Sequence, residues 1–324
     1  MMFCWPAIAG NKRATPLGFM YDKLDRILER LGEPCGLKTY IPFNSQGDDH
    51  IEDFIGMIGV PMEPVCEFPE NDEGKSSDAG TARKVLLTAA SLEDLEIVGK
   101  LRRFVEAGGH AIVTSAFMIG ALEKYPEIKE LTSVSYTKRT LAADEFQTPG
   151  ELPHFKNYVK SNSPIDFPLL EHRNNATWSI MNAGHGEYHE SILCYDTYGR
   201  GRFTVLCTPQ MPSKLYDLPV PVLGAIRKEL DPSGIWLEGE SGVSLFTYDN
   251  KTFGLYAYAW DGCKQQNIQL HIKGSIKELI RIPDSERPQM FKPAVIKPLY
   301  EKNGETVFSG RVIPGEFDFF VIKE

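Results

Sequence analysis

The chain of 324 residues has no apolar run near the roughly 20 residues that a membrane helix needs. It also lacks a positive excess: 35 Lys and Arg stand against 44 Asp and Glu, a net charge of −9. That balance argues against a nucleic-acid partner, which is held through a basic stripe. No Cys-x-x-Cys occurs. Cys4, Cys35, Cys66, Cys194, Cys207 and Cys263 are scattered and read as reduced, mostly buried thiols, so a disulfide framework is not expected. No internal repeat or low-complexity segment is present. What is there is ordinary for a folded protein: 42% hydrophobic and 24% charged residues, enough for a real core. The length suits one large domain or two ordinary ones. Met1 to Gly10 is apolar but lacks the basic n-region of a secretory signal, which fits a cytoplasmic chain or a mature or truncated exported form.

Periodicity divides the chain near Asp231–Gly234. Before it, Phe19 to Leu31 has helical spacing, Leu37 to Phe43 reads as a short strand, and a short helix is expected from Asp49 to Ile58, capped by Asp48. Pro69 to Gly80 is acidic and Ser/Gly-rich, hence a solvated loop. The clearest unit follows. Lys84 to Thr88 is a buried strand, Ser91 an N-cap, and Leu95, Val98, Leu101, Phe104 and Val105 the inner stripe of a helix that ends at Ala107-Gly108-Gly109. His110 to Thr114 is the next strand, so a right-handed βαβ crossover and a parallel sheet are expected. Met118 to Tyr125 begins another helix. Leu141 to Arg173, rich in Pro, Asn and Ser, reads as long loops with short strands; strands return at Trp178 to Met181, Ser191 to Tyr195 and Phe203 to Cys207, and a helix at Val220 to Leu230. After Gly234 short strands and turns alternate without helix signals, including a hairpin turn at Asp249-Asn250-Lys251, the pattern of a small β-sandwich. The expected class is therefore α/β: a parallel-sheet domain over residues 1–232 and an all-β sandwich over 233–324.

The stretch VLLTAASLEDLEIVGKLRRFVEAGGHAIVTS, Val85 to Ser115, followed by Tyr198-Gly-Arg-Gly-Arg202 and the strand Phe203 to Leu206, resembles the β-galactosidase trimerisation-type domain, an amidotransferase-like (flavodoxin-like) α/β fold. The resemblance spans roughly residues 20–230 and more loosely the rest. It implies a domain that does no chemistry itself and builds subunit contacts beside a catalytic barrel. No barrel of roughly 250 residues fits ahead of it in this chain.

The amidotransferase-like fold implied by the resemblance places a nucleophile on the turn after a central strand. The matching turn is Thr114-Ser115-Ala116-Phe117, and no Cys lies between Cys66 and Cys194. Ser115 lacks the Gly-x-Ser-x-Gly setting of a nucleophile elbow and is expected to cap the next helix. The densest cluster of ligand-type residues is Gly184-His-Gly-Glu-Tyr-His-Glu190. His185 and His189 lie four apart with Glu187 between them, but Gly184 and Gly186 oppose a helix and the order is not His-Glu-x-x-His, so a polar loop is expected and no metal. If a polar site exists at the sheet edge, this loop lines it. Asp48 and Asp49 form an acidic knot with Glu52 and Asp53: paired carboxylates for acid–base work on a sugar bond, or carboxylates gathered at a helix N-terminus. Tyr256, Tyr258 and Trp260 alternate along one strand and share a face that Phe246 and Tyr248 extend, suited to stacking on sugar rings or to packing against the first domain.

Three functions remain open: a non-catalytic, carbohydrate-associated protein like the accessory parts of β-galactosidase-type enzymes; a small glycan hydrolase using Asp48, Asp49 or Glu187; and an oligomerisation module. The expected partners are a saccharide and a second copy of the chain. No cofactor, nucleic acid or membrane is expected.

Overall fold

The computed structural model describes residues 25, 27–43, 45, 50–70, 83–149, 156–172, 174–259, 266–283 and 294–324. The strands up to the expected boundary are β1 (Pro34–Cys35), β2 (Leu37–Tyr40), β3 (Met62–Val65), β4 (Lys84–Leu87), β5 (His110–Thr114), β6 (Val134–Pro149), β7 (Lys156–His172), β8 (Trp178–His185), β9 (Tyr188–Tyr198) and β10 (Gly201–Leu206). Beyond it come β11 (Ile235–Glu238), β12 (Val243–Tyr248), β13 (Thr252–Ala257), β14 (Gln266–Lys273), β15 (Glu278–Ile282), β16 (Val295–Ile296), β17 (Tyr300–Lys302), β18 (Glu305–Val312) and β19 (Phe317–Lys323). The helices are α1 (Ile51–Met57), α2 (Ile97–Glu106), α3 (Ser115–Lys124) and α4 (Val220–Leu230).

The described residues form three sheets. The nine-stranded sheet has the order β3-β2-β4-β5-β10-β9-β8-β6-β7, the six-stranded sheet β1-β12-β13-β19-β15-β16, and the four-stranded sheet β11-β14-β18-β17. Twelve of the sixteen strand pairings among the described residues are antiparallel. This overturns the expected α/β class with its parallel-sheet, amidotransferase-like domain: the molecule is mostly β. The parallel pairings are confined to β3-β2-β4-β5-β10, where α2 crosses from β4 to β5.

The difference arises mainly between residues 134 and 172. Instead of loops, β6 and β7 run for 16 and 17 residues as one ribbon with register shifts at Tyr136/Thr140 and Ala143/Glu145. Bulges absorb the irregular pattern and bend the ribbon. Pro164 and Pro168 are tolerated because β7 is an edge strand, where a missing N–H breaks no inner ladder. Local turn chemistry pointed to loops; long-range pairing, with Leu141, Phe146, Ile165 and Phe167 buried along the ribbon, prevails.

Two smaller corrections concern helix starts. Ser91 does not cap α2; it sits in the 3-10 turn Ala89–Glu93 and its hydroxyl donates to the carbonyl of Tyr40 at 2.7 Å, while α2 begins at Ile97. The cap of α3 is Thr114, whose hydroxyl oxygen accepts from the Phe117 amide at 3.3 Å, so Ser115 is released from that role. The expected helix over Phe19 to Leu31 and the loop over Pro69 to Gly80 fall largely outside the described residues.

The two sequence motifs FVEAGG and Tyr198-Gly-Arg-Gly-Arg202 meet in space. Gly108 ends α2 at φ +100°, and the Arg202 amide donates to the Gly109 carbonyl at 3.1 Å. A Cβ on Gly201 would stand 2.2 Å from the Gly109 oxygen and 2.3 Å from the Val105 oxygen, so only glycine lets β10 pass this close. At the amino ends of β4, β5 and β10 lies a buried polar knot. His110 Nε2 is 2.8 Å from Thr204 Oγ1, Arg202 pairs with Glu229 at 2.7 Å, and Lys84 donates to the carbonyls of Glu229 and Asp231 at 2.7 Å each. Burial, with Lys84 and Arg202 adding to it, pushes the His110 ring down to about 3.

One core fills the nine-stranded sheet and its helices; a second, with Leu245, Leu255, Leu270 and Phe308, lies between the six- and four-stranded sheets, which thus have sandwich features. The six-stranded sheet also takes in β1, which pairs with β12 through Pro34↔Tyr248 and Cys35↔Thr247. Arg227 of α4 is 1% exposed and donates to the carbonyls of Ile58, Leu237, Gly239 and Glu240, joining the two cores. Among the described residues no helix is long and apolar enough to cross a membrane.

Candidate functional site

At the carboxyl ends of the parallel strands, the usual ligand crevice of such sheets, Ser115 is 2% exposed. Its Oγ lies 3.0 Å from Thr208 Oγ1 and accepts from the Thr208 amide at 3.1 Å. With the hydroxyl and amide of Thr208 and the Cys207 thiol as its partners, and no imidazole bonded to it among the described residues, the hydroxyl is engaged in holding the chain after β10 against the start of α3. Nearby, Ser191, Cys194, Cys207 and His172, among others, line a crevice too tight to hold a water molecule. Burial pushes the Cys194 thiol up to about 12 and Cys207 higher still, so both stay protonated and inert.

The His-rich segment forms the tip of the β8–β9 hairpin. His185 pairs with Tyr188 across it, Gly186 turns the chain at φ +62°, and Glu187 stands exposed in the turn. His185 and His189 therefore do not share a helix face. Each meets a different acid on β6: His185 Nδ1 lies 2.7 Å from Asp144 Oδ1, and His189 Nε2 lies 3.6 Å from Glu145 Oε2. Lys160 of β7 pairs with the other Glu145 oxygen at 2.6 Å. The hydrogen bond and charge of Asp144 hold the His185 ring above its ordinary value, and the Lys160 ammonium holds the Glu145 carboxyl below its own. Asp144, Glu145 and Lys160 lie where Pro, Asn and Ser predict long loops with short strands; the alternation of Glu145 and Gln147 with buried Phe146 and Thr148 is the signal that points to a strand there. Among the described residues no group of three or more His, Cys, Asp or Glu is arranged to hold a metal.

The aromatic row lies on the face of the six-stranded sheet opposite the second core, where Phe317 and Phe319 also pack with Ile27 in a third, smaller cluster. Tyr256 stacks on Phe317 at 4.3 Å between centroids and meets Tyr258 edge-on at 5.0 Å; Phe246 lies 6.3 Å from Phe317 and is 40% exposed. Tyr258 turns toward the first core: its hydroxyl is 3.1 Å from Ser244 Oγ, which donates to the Gly56 carbonyl of α1 at 2.9 Å. Gly254 opens room in the middle of the sheet, since a Cβ there would stand 2.6 Å from the Phe319 ring. Phe317, supplied by the last strand, was missing from the expected row because pairing of β13 with β19 is not legible locally. Asp48, Asp49 and Trp260 lie outside the described residues.

No curated protein matches the chain. Among solved structures, Gan42B, a GH42 beta-galactosidase, is 12% identical with a TM-score of 0.41 over 89% of this chain and 40% of its own. The beta-galactosidase from Bacillus circulans sp. alkalophilus is 10% identical with a TM-score of 0.40 over 85% of this chain and 36% of its own. The rhamnosidase from Novosphingobium sp. PP1Y is 12% identical with a TM-score of 0.38 over 90% and 23%. These neighbours are glycoside hydrolases, and the chain spans less than half the length of each. The decisive match is to a sequence family: residues 32–211, more than half of the chain, fit the family described as the second domain of the uncharacterized protein SSO3021, and the chain belongs to that family.

Proposed function

We propose that the chain is a non-catalytic, carbohydrate-associated protein that presents an aromatic platform to a saccharide. The observation that carries this reading is Phe246, 40% exposed at the end of a row whose other rings are held by one another and by Ser244. At the end of that row the Phe246 ring offers an exposed face to the apolar C–H patches of a sugar. We place the binding unit in residues 233–324 together with β1. The hydrolase alternative requires two facing carboxylates; Glu187 stands alone in an exposed turn, while Asp144 and Glu145 are each paired with a base. The test is a titration of the full chain with a panel of neutral oligosaccharides. Wild type binds at least one, and Phe246→Ala and Tyr256→Ala weaken it while the circular dichroism spectrum stays unchanged. Absence of binding by the wild type across the panel overturns the proposal.

A further inference from the structure

The nine-stranded sheet ends on β7, and the two halves of that strand differ at their outer edge. Along the second half the edge is closed. The Gln210 amide donates to the Asp166 carbonyl at 2.8 Å, and the Cys207 thiol donates to the Pro168 carbonyl at 3.1 Å. Between the halves, residues 161–164 of β7 stand against Asp144 alone on β6. This bulge, with Pro164 in it, blunts the edge there. Along the first half neither device applies. The ladder with β6 runs without a shift from Glu145↔Lys160 to Pro149↔Lys156. Among the described residues, no segment other than β6 bonds to the main chain of residues 157–160. A row of outward N–H and C=O groups of this kind accepts a further strand. The side chains on it are sorted by face. Val159 opposes buried Phe146 and packs, partly buried, on the first core. Tyr158 and Lys160 lie on the opposite face. Tyr158 is 70% exposed, and Glu145 holds the Lys160 ammonium at 2.6 Å.

We infer that this edge pairs with the same edge of a second copy of the chain, antiparallel about a twofold axis at Val159, so that two nine-stranded sheets become one. In that register Val159 meets its own copy and extends the apolar face. Tyr158 lies opposite Lys160 of the other copy, and symmetry makes this pair twice. Each ring covers a lysine stem and meets its ammonium. Glu145 already holds that lysine in place, so little of its side-chain freedom is lost on pairing. The register is specified by the same residues. A slip of two residues either way sets Lys160 opposite another lysine, and a slip of one turns Val159 to the wrong face. The edge carries both halves of the Tyr–Lys pair, which is the self-complementarity that a twofold contact requires. An acidic peptide is the poorer occupant: Glu145 neutralises Lys160, and the net charge of −9 repels an acidic chain. The inference is independent of the carbohydrate reading.

The experiment is sedimentation equilibrium of the full chain and of two variants, Tyr158→Lys and Tyr158→Glu. The side chain is exposed, so both variants keep the fold, which circular dichroism verifies. Wild type reaches twice the chain mass as its concentration rises. Tyr158→Lys sets lysine opposite lysine in both symmetric pairs and weakens the dimer about tenfold. Tyr158→Glu sets opposite charges there and stays within about threefold of wild type or dimerises more tightly. A wild type that is still a monomer at about 1 mM overturns the inference, as does an oligomer other than a dimer. So does a dimer on which the two variants have the same effect, because only pairing across this edge distinguishes Lys from Glu at that position.

Discussion

Replacing Arg227 with Met removes the donors that satisfy the carbonyls of Ile58, Leu237, Gly239 and Glu240. A buried acceptor without a partner costs about 1–3 kcal/mol, so these carbonyls together cost about 4–12 kcal/mol. Removing a buried guanidinium recovers several kcal/mol of its desolvation, which leaves a net loss of about 3–5 kcal/mol. With a urea slope near 3 kcal/mol/M, the unfolding midpoint falls by about 1–1.7 M. Arg227→Lys lies between, because one compact ammonium with three donors cannot reach all four carbonyls that the guanidinium fork spans. The assay is urea unfolding followed by tryptophan fluorescence, with Trp236 on β11 beside one of the freed carbonyls. A midpoint for Arg227→Met within about 0.3 M of wild type, at unchanged slope, would refute the idea that this side chain joins the two cores.

Further outcomes follow from the charges and the close contacts. His110 is held down to about 3 from 6.5, so below pH 6.5 the unfolded chain takes up a proton that the fold refuses. The stability owed to the neutral ring is complete above that pH and falls by about 1.4 kcal/mol per pH unit on the way down. Unfolding of wild type and His110→Gln between pH 7 and pH 5 measures it, and equal slopes would count against it. Asp144→Asn lowers the His185 titration toward its ordinary value, read from the imidazole proton shifts in an NMR titration; an unmoved midpoint excludes the contact. Gly201→Ala drives a methyl into the carbonyls of Val105 and Gly109 and costs about 2–3 kcal/mol, measured by thermal unfolding.

Legibility followed the range of the interaction. The β4–α2–β5 crossover is readable because its buried runs, its stripe of Val98, Leu101, Phe104 and Val105 and its glycine stop are local, whereas Leu95, expected in that stripe, is 84% exposed ahead of the helix. The two motifs behind the resemblance touch across 94 positions, Arg200 reaching the Glu106 carbonyl, a contact that glycine content alone hints at. The β6–β7 ribbon was hidden by Pro164, Pro168 and the polar residues between them. An edge strand tolerates these, and nothing within a short window distinguishes an edge strand from a loop. The pairing of β13 with β19, which sets the aromatic row, is likewise not legible locally, because it joins segments far apart in the chain. His189 was named from sequence, while its neighbours Glu145, Gln147 and Lys160 come from strands far along the chain. Tyr256 was named, and its stacking partner Phe317 was not.

The two-residue strand β1 acts as a clasp. By closing the free edge of β12 it threads an early segment into a layer otherwise built from the end of the chain. Making the last sheets without that segment bares a row of N–H and C=O groups, an invitation to edge-to-edge association. Severing the chain near residue 233 therefore yields fragments that stay together after the cut, whereas the same C-terminal fragment synthesised alone self-associates.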